Sequence, residues 1–291
     1  MPNPLVVVSG KNGQLGWEFQ QLTKTITTGF DFLFTGREEL DLSNPLSIPD
    51  FFNLHKPVYF INCAAYTAVD KAEMEKELAL LINAKSLGVI ADECRKHNCT
   101  LITISTDYVF DGHSDIPYQT DATVNPINYY GQTKRMGEKL ALENNEHSII
   151  IRTSWVYSSH GNNFVKTMIR LMREKAEIKV VSDQFGSPTN AIDLANVILQ
   201  IIQSLENGNH HYGIYHYANQ GIISWYDFAV AIKKLEKLPC EILPIPTTEF
   251  PTPAKRPRYT AMDTSKISLD FGIEMIKWEE SLKTCIEKLG K

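Results

Sequence analysis

Leu5-Val6-Val7-Val8-Ser9-Gly10-Lys11-Asn12-Gly13-Gln14-Leu15-Gly16 runs from a short unbroken apolar stretch directly into G-x-x-G-x-x-G. An unbroken apolar run is what a strand covered on both faces requires. The spacing beyond it predicts a helix from about Gln14 to Thr23. Glycines between a strand and a helix permit a tight turn and let backbone N–H groups and the helix N-terminus approach a pyrophosphate. The plain alternative is an ordinary βα turn that is rich in glycine. Its position after the first strand favours the dinucleotide reading.

Outward from this stretch the first half alternates two periods, the signature of βαβ units wound into a parallel sheet. Phe32-Leu33-Phe34, Val58-Tyr59-Phe60-Ile61, Leu101-Ile102-Thr103-Ile104 and Ile149-Ile150-Ile151 read as further strands. Leu78–Arg95 and Tyr130–Glu143 read as helices. After about Thr153 the pattern loosens into a helix near 163–175, a strand at Ile178-Lys179-Val180-Val181 and a loop with Gly186 and Pro188. A helix over Ala191–Leu205 follows, and then one capped by Ser224 that runs through Lys237. Pro239–Pro257 holds six prolines and reads mostly as extended loop. The expected fold class is α/β, a Rossmann-type doubly wound parallel sheet with a smaller α/β substrate-binding domain. Residues 1–152, with about 190–218 returning to them, would form the cofactor domain, and 153–189 with 219–291 the substrate domain.

At 291 residues the chain is long enough to bury a core without disulfides or metal. Apolar residues at 43% and charged residues at 22% exclude a disordered or low-complexity chain. A net charge of −5 argues against a nucleic-acid or anionic-membrane binder, while leaving room for a local basic site. Five cysteines at irregular spacing, with no C-x-x-C, fit a reducing cytoplasm. Neither a basic leader nor an apolar stretch of membrane length occurs in the sequence.

A dinucleotide fold reads the adenosine ribose about 20 residues beyond its last loop glycine, at the end of the second strand. Arg37 stands there, and an arginine suits a 2′-phosphate. The plain reading is a solvated arginine partnered by Glu38 or Glu39. Asp41 is an adenine-side candidate. Tyr130-Gly131-Gln132-Thr133-Lys134 is Y-x-x-x-K on a predicted helix, and a spacing of four puts both side chains on one face. An ammonium beside a phenol lowers its pKa and creates an acid/base group. On a solvated face the same pair does nothing. Ser105 and Thr106 close the preceding strand, where an open α/β sheet binds its ligands, and that placement favours the chemical reading.

The glycine loop, the strand-end Thr106 and the Y-x-x-x-K helix together resemble the extended short-chain dehydrogenase/reductases that act on nucleotide sugars. Within them the chain is most similar to the dTDP-4-dehydrorhamnose reductase family. The segments that carry this are the loop, Asn62 to Glu73, Ser105-Thr106-Asp107-Tyr108-Val109-Phe110-Asp111-Gly112 and Tyr130 to Lys134. The second half adds Arg152-Thr153-Ser154-Trp155-Val156-Tyr157, Gly161-Asn162-Asn163-Phe164, Asp183 to Thr189 and Pro253-Ala254-Lys255-Arg256-Pro257.

The resemblance implies Thr106, Tyr130 and Lys134 as the catalytic triad. It implies a cofactor, NADPH or NADH, bordered by Gly10, Asn12, Gly13, Gln14, Leu15 and Gly16, with Cys63, Ala64 and Ala65 at its middle. Arg37, Asp41 and Leu42 would lie at its adenosine end, and Tyr130 and Lys134 at its nicotinamide end. A dTDP-sugar would meet Thr106, Asp107, Tyr130, Trp155 and, through its diphosphate, Arg256. Lys255 replaces an arginine of the family motif and loses that bidentate fork. Related 4,6-dehydratases follow the strand-end Thr with Asp and Glu, whereas Thr106 precedes Asp107 and Tyr108, which favours simple reduction. Two alternatives stand: a reductase or epimerase of another nucleotide sugar, and a non-catalytic NADP-binding subunit like that of methionine adenosyltransferase. A homodimer is compatible with the resemblance. The eight histidines show no ligand spacing, so no metal site is expected. Gly16-Trp17-Glu18 is similar to a segment of family members associated with Mg2+, while Glu18 itself reads as an exposed helix glutamate.

Overall fold

The computed structural model describes residues 3–290. Its strands are β1 (Leu5–Ser9), β2 (Asp31–Thr35), β3 (Tyr59–Asn62), β4 (Thr100–Thr106), β5 (Ser148–Thr153), β6 (Val156–Tyr157), β7 (Glu177–Val181), β8 (Phe185–Gly186), β9 (Thr189–Asn190), β10 (Gly213–His216), β11 (Ile223–Ser224) and β12 (Glu241–Ile245). The helices are α1 (Gln14–Leu22), α2 (Ile48–His55), α3 (Val69–Ala72), α4 (Lys76–Leu80), α5 (Ser86–Lys96), α6 (Tyr129–Asn144), α7 (Phe164–Glu174), α8 (Ala191–Glu206), α9 (Trp225–Glu236), α10 (Ser265–Phe271) and α11 (Trp278–Leu289).

Six strands form a parallel sheet in the order β10-β5-β4-β3-β1-β2. The apolar run of β1 is unbroken because both faces are covered. Val6 and Val8 pack with Phe19 of α1 and Ile198 and Ile201 of α8. Val7 faces the other way, toward Phe52 of α2 and Ile90 of α5. Burial of each such side chain contributes about 1.5–3 kcal/mol. The direction of winding reverses between β1 and β3, which makes the carboxyl ends of those strands the switch point where ligands bind.

A separate core unites Val165, Met168 and Met172 of α7, Ile178 and Val180 of β7, Phe228 and Ile232 of α9, and Trp278 and Leu282 of α11. Ser224 caps α9 through a reciprocal pair with Asp227: the Asp227 N–H donates to its hydroxyl at 3.1 Å and its own N–H donates to the carboxylate at 3.0 Å. Ile267 and Phe271 of α10 pack instead on the core of the large sheet.

Two elements differ from expectation. The proline-rich stretch contains a strand, β12, paired in parallel with β7. Pro244 is tolerated there because β12 has a single neighbour in its two-stranded sheet and its other edge needs no donor. The expected helix over Leu78–Arg95 is interrupted by a wide π turn at Leu81–Lys85. All five cysteines are free. No described helix is long and apolar enough to cross a membrane.

Candidate active site

The switch point is closed tightly by glycine. Gly10 has φ +76°, and a Cβ there would stand 2.8 Å from the nitrogen of Ala64, while one on Gly16 would stand 2.3 Å from the carbonyl oxygen of Gly10. Gly13 begins α1 without a side-chain cap, and the first turn contains no acid. The first N–H groups of α1 are therefore left for an anion. These features fit a dinucleotide pyrophosphate. Gly16 acts by letting α1 approach the loop and does not itself line the cavity beside it. That cavity, about 840 Å³, runs from Gly10, Asn12, Gly13, Gln14 and Leu15 past Arg37, Asp41 and Leu42 and past Cys63, Ala64 and Ala65 to Thr106, Asp107, Tyr130, Lys134 and Trp155. The alternative reading of Arg37, a pairing with Glu38 or Glu39, does not occur among the described residues. Glu39 instead accepts the Gly36 N–H at 2.7 Å and pairs with Lys11. The Asp41 carboxylate accepts the N–H and hydroxyl of Ser43, each at 2.8 Å.

Tyr130 and Lys134 sit on α6, one turn apart. The Lys134 ammonium donates to the Ile104 carbonyl at 2.7 Å, which ties it to β4. Burial pushes its pKa down to about 8, with the Glu138 charge opposing. The expectation that Lys134 would depress the Tyr130 phenol is corrected here. Burial raises the phenol above its ordinary value, the nearby Asp107 charge adds to the rise, and a hydrogen bond with Thr106 only partly offsets it. Thr106 accepts the Tyr108 N–H at 3.1 Å and donates to Asp107 Oδ1 at 3.0 Å. Asp107 Oδ2 is buried and unpartnered. Burial pushes the Asp107 carboxyl up to about 6, against hydrogen bonding by Thr260 and Thr106.

The α6 face is held from both ends. Asn83, in the π turn, donates to Thr133 Oγ1 at 3.0 Å and brackets the backbone of Tyr66. Its carbonyl presses on Gly137, where a Cβ would stand only 2.1 Å away. Glu138 is gripped by Arg152 of β5 through two hydrogen bonds of 2.8 and 2.9 Å and accepts the Ser105 hydroxyl at 2.6 Å. Burial works against ionising Glu138, but Arg152 outweighs it and holds the carboxyl below its ordinary range. None of Asn83, Glu138 or Arg152 carries a motif signal that assigns this role.

At the far end, Trp155 has φ +49°, a left-handed conformation that costs a non-glycine residue energy. The strain sets its indole flat on Trp225, with ring centroids 3.6 Å apart. Gly186 makes room, since a Cβ there would stand 3.0 Å from Trp155 Cε2. Trp225 also lines the cavity. Its position just after the Ser224 cap was readable, but its partner was not. Arg256 does not line the cavity. Its guanidinium makes a two-pronged pair with Asp70, at 2.7 and 2.8 Å, and adjoins Tyr108. A strap over 156–163 also touches the glycine loop: Asn163 donates to Gln14 Oε1 at 2.9 Å, and the His160 ring stacks on Trp17 at 4.8 Å.

Glu18 is not the exposed residue expected. It is 1% exposed, accepts the Ser158 hydroxyl at 2.8 Å and lies 3.7 Å from the Lys288 ammonium. Its partners come from distant parts of the chain, which helix position alone cannot reveal. Among the described residues no group of three or more His, Cys, Asp or Glu could hold a metal ion.

The family described as RmlD substrate binding domain matches residues 5–291. A dTDP-4-dehydrorhamnose reductase from Aggregatibacter actinomycetemcomitans is 39% identical over 287 residues, 96% of this chain and 97% of that protein. The crystal structure of a dTDP-4-dehydrorhamnose reductase from Clostridium acetobutylicum superposes with a TM-score of 0.93 at 42% identity, covering 99% of this chain and all of that one. One from Bacillus anthracis, solved in complex with NADP, gives 0.92 at 37% identity with the same coverage. With a match that runs from the first strand of the glycine-loop sheet through the last helix, the chain belongs to the RmlD substrate binding domain family.

Proposed function

We propose that this protein reduces the C4 ketone of dTDP-4-dehydro-L-rhamnose to dTDP-L-rhamnose with NADPH or NADH. The observation that carries the reading is the convergence of Thr106, Tyr130 and Lys134 on one cavity that begins at the glycine loop and ends at Trp155. The relatives named for this activity cover nearly the whole chain at about 40% identity, which supports the same choice of substrate. Residues 1–152 with about 190–218 and α10 serve the cofactor, and 153–189 with the rest of 219–291 the sugar nucleotide.

The dinucleotide, when bound, supplies the hydride. Tyr130 supplies the proton. Burial keeps its phenol protonated at neutral pH, and an alkoxide forming at C4 is a much stronger base than a phenolate, so the transfer runs downhill. The Thr106 hydroxyl, which rests on Asp107 Oδ1, rotates onto the same oxygen and aligns it. Lys134 holds the ribose hydroxyls. The unpartnered Asp107 Oδ2 accepts a sugar hydroxyl, and the Trp155–Trp225 stack gives the sugar an apolar wall.

The test is loss of NADPH absorbance on mixing with the 4-keto sugar nucleotide. One equivalent is expected to be consumed per ketone. Tyr130→Phe is expected to lower kcat by about 10²–10⁴ while keeping NADPH affinity. Tight NADPH binding without oxidation would overturn the reductase reading in favour of a non-catalytic one.

A further inference from the structure

Opposed charges adjoin the adenosine end of the cavity: Arg37 lines it, while Lys11 and Glu39 stand beside Gly36, outside the residues that line it. A dinucleotide fold reads the ribose just after its second strand, where an acid takes a 2′-hydroxyl and a base a 2′-phosphate. This chain has both. Arg37 lines the cavity with an exposed side chain. Two residues on, Glu39 turns back, with one carboxylate oxygen on the Gly36 N–H and the other on the Lys11 ammonium. Lys11 belongs to the glycine loop, and its own N–H donates to the Thr35 carbonyl at 3.0 Å, which fixes the loop against the end of β2.

Gly36 lines the cavity, and the space above it is where the two meet. A Cβ at Gly36 would stand 3.1 Å from Lys11 Cε, 3.4 Å from Asn12 Nδ2 and 3.4 Å from Glu39 Oε2. The Lys11 and Glu39 side chains are 27% and 39% exposed, so solvent and ligand can reach the pair. An ion pair this exposed holds its partners weakly, and either can be drawn to a ligand instead.

We infer that the Lys11–Glu39 pair selects between the two nicotinamide cofactors: Glu39 accepts a ribose 2′-hydroxyl, whereas a 2′-phosphate takes Lys11 and Arg37 and displaces the carboxylate. The inference rests on the reading of the cavity as a nicotinamide-dinucleotide site and adds the residues that set the preference. Lys11 holds the Glu39 carboxyl below its ordinary range. The group therefore stays an acceptor through neutral pH, with lone pairs left for a hydroxyl after its two present bonds. A phosphate dianion beside that carboxylate is repelled. Beside Lys11 and Arg37 it is attracted. Asp41, the other acid near Arg37, is occupied by Ser43.

The experiment is direct titration of NADPH and of NADH, followed by nicotinamide fluorescence with no sugar nucleotide present, on the wild type, Glu39→Gln and Lys11→Met. Glu39→Gln is expected to tighten NADPH about tenfold and weaken NADH several-fold. Lys11→Met is expected to weaken NADPH about tenfold and change NADH by no more than about twofold. The preference ratio thus moves in opposite directions. A ratio within about twofold of wild type in Glu39→Gln, whose loop sequence is untouched, would overturn the selector even if Lys11→Met loosened the loop. Selective binding without ketone reduction would instead overturn the reductase reading and leave the selector standing.

Discussion

Lys134 is expected to set the upper edge of the working pH range. Its pKa is pushed down to about 8 by burial, so its charge is complete below that value and is lost as pH rises through it. We expect kcat/KM, which reports the free enzyme, to fall above about pH 8, and a profile flat to pH 10 would remove Lys134 from the rate. Asp107 has the opposite bias. Its carboxyl is raised from 3.8 to about 6, so the fold is favoured as pH falls from 6 toward 4 and loses that contribution as pH rises. Asp107→Asn should therefore be more stable than wild type at pH 8, on the order of 1–3 kcal/mol in urea denaturation, with the advantage gone near pH 4. The placement of Thr106 at a strand end and of Tyr130 and Lys134 on one helix face was legible because strand ends and a four-residue helical spacing are local facts. The rise of the Tyr130 phenol was not, because its burial is set by residues far apart in sequence. Glu18 and Trp225 were missed for the same reason, since Ser158, Lys288 and Trp155 are brought to them only by the fold.

At the level of elements, α6 carries Tyr130 and Lys134 and its neighbours fix its height and rotation. The π turn at Leu81–Lys85 drives the Asn83 carbonyl against Gly137, and the Glu138–Arg152 grip ties the next residue to β5. Gly137→Ala would place a methyl group against a backbone oxygen that has nowhere to go. We expect it to cost about 1–3 kcal/mol and to lower kcat about 100-fold through displacement of Tyr130 and Lys134. Urea denaturation and steady-state rates check the two effects separately. The hydrophobic spacing of 78–95 showed a helix but not its wide turn, because apolar positions repeat almost alike through either geometry. The strand in the proline-rich stretch was hidden by Pro244, which is disfavoured in sheets in general and tolerated on this free edge.

For the whole molecule, the strap over 156–163 joins the glycine loop to the second core through Gln14, Asn163 and the Trp17–His160 stack. A dinucleotide at the loop should therefore stabilise both parts together. Calorimetry with NADPH at 100 times its Kd is expected to show one transition shifted upward by about 2.7 kcal/mol of stability, and two transitions of which one ignores NADPH would contradict this. The sheet's first five strands were readable in chain order and a return of about 190–218 to them was expected, whereas the edge position of β10 beside β5 is set by tertiary contacts that no local pattern marks. That return governs how the protein is made. Synthesis proceeds at about 5–20 residues per second, and the first 152 residues leave the ribosome with β5 as an open edge and Val6, Val8 and Phe19 uncovered. The nascent sheet waits several seconds or more for its last strand and second helical layer, an interval in which a chaperone that shields apolar surface would matter more than for a domain closed within its own first half.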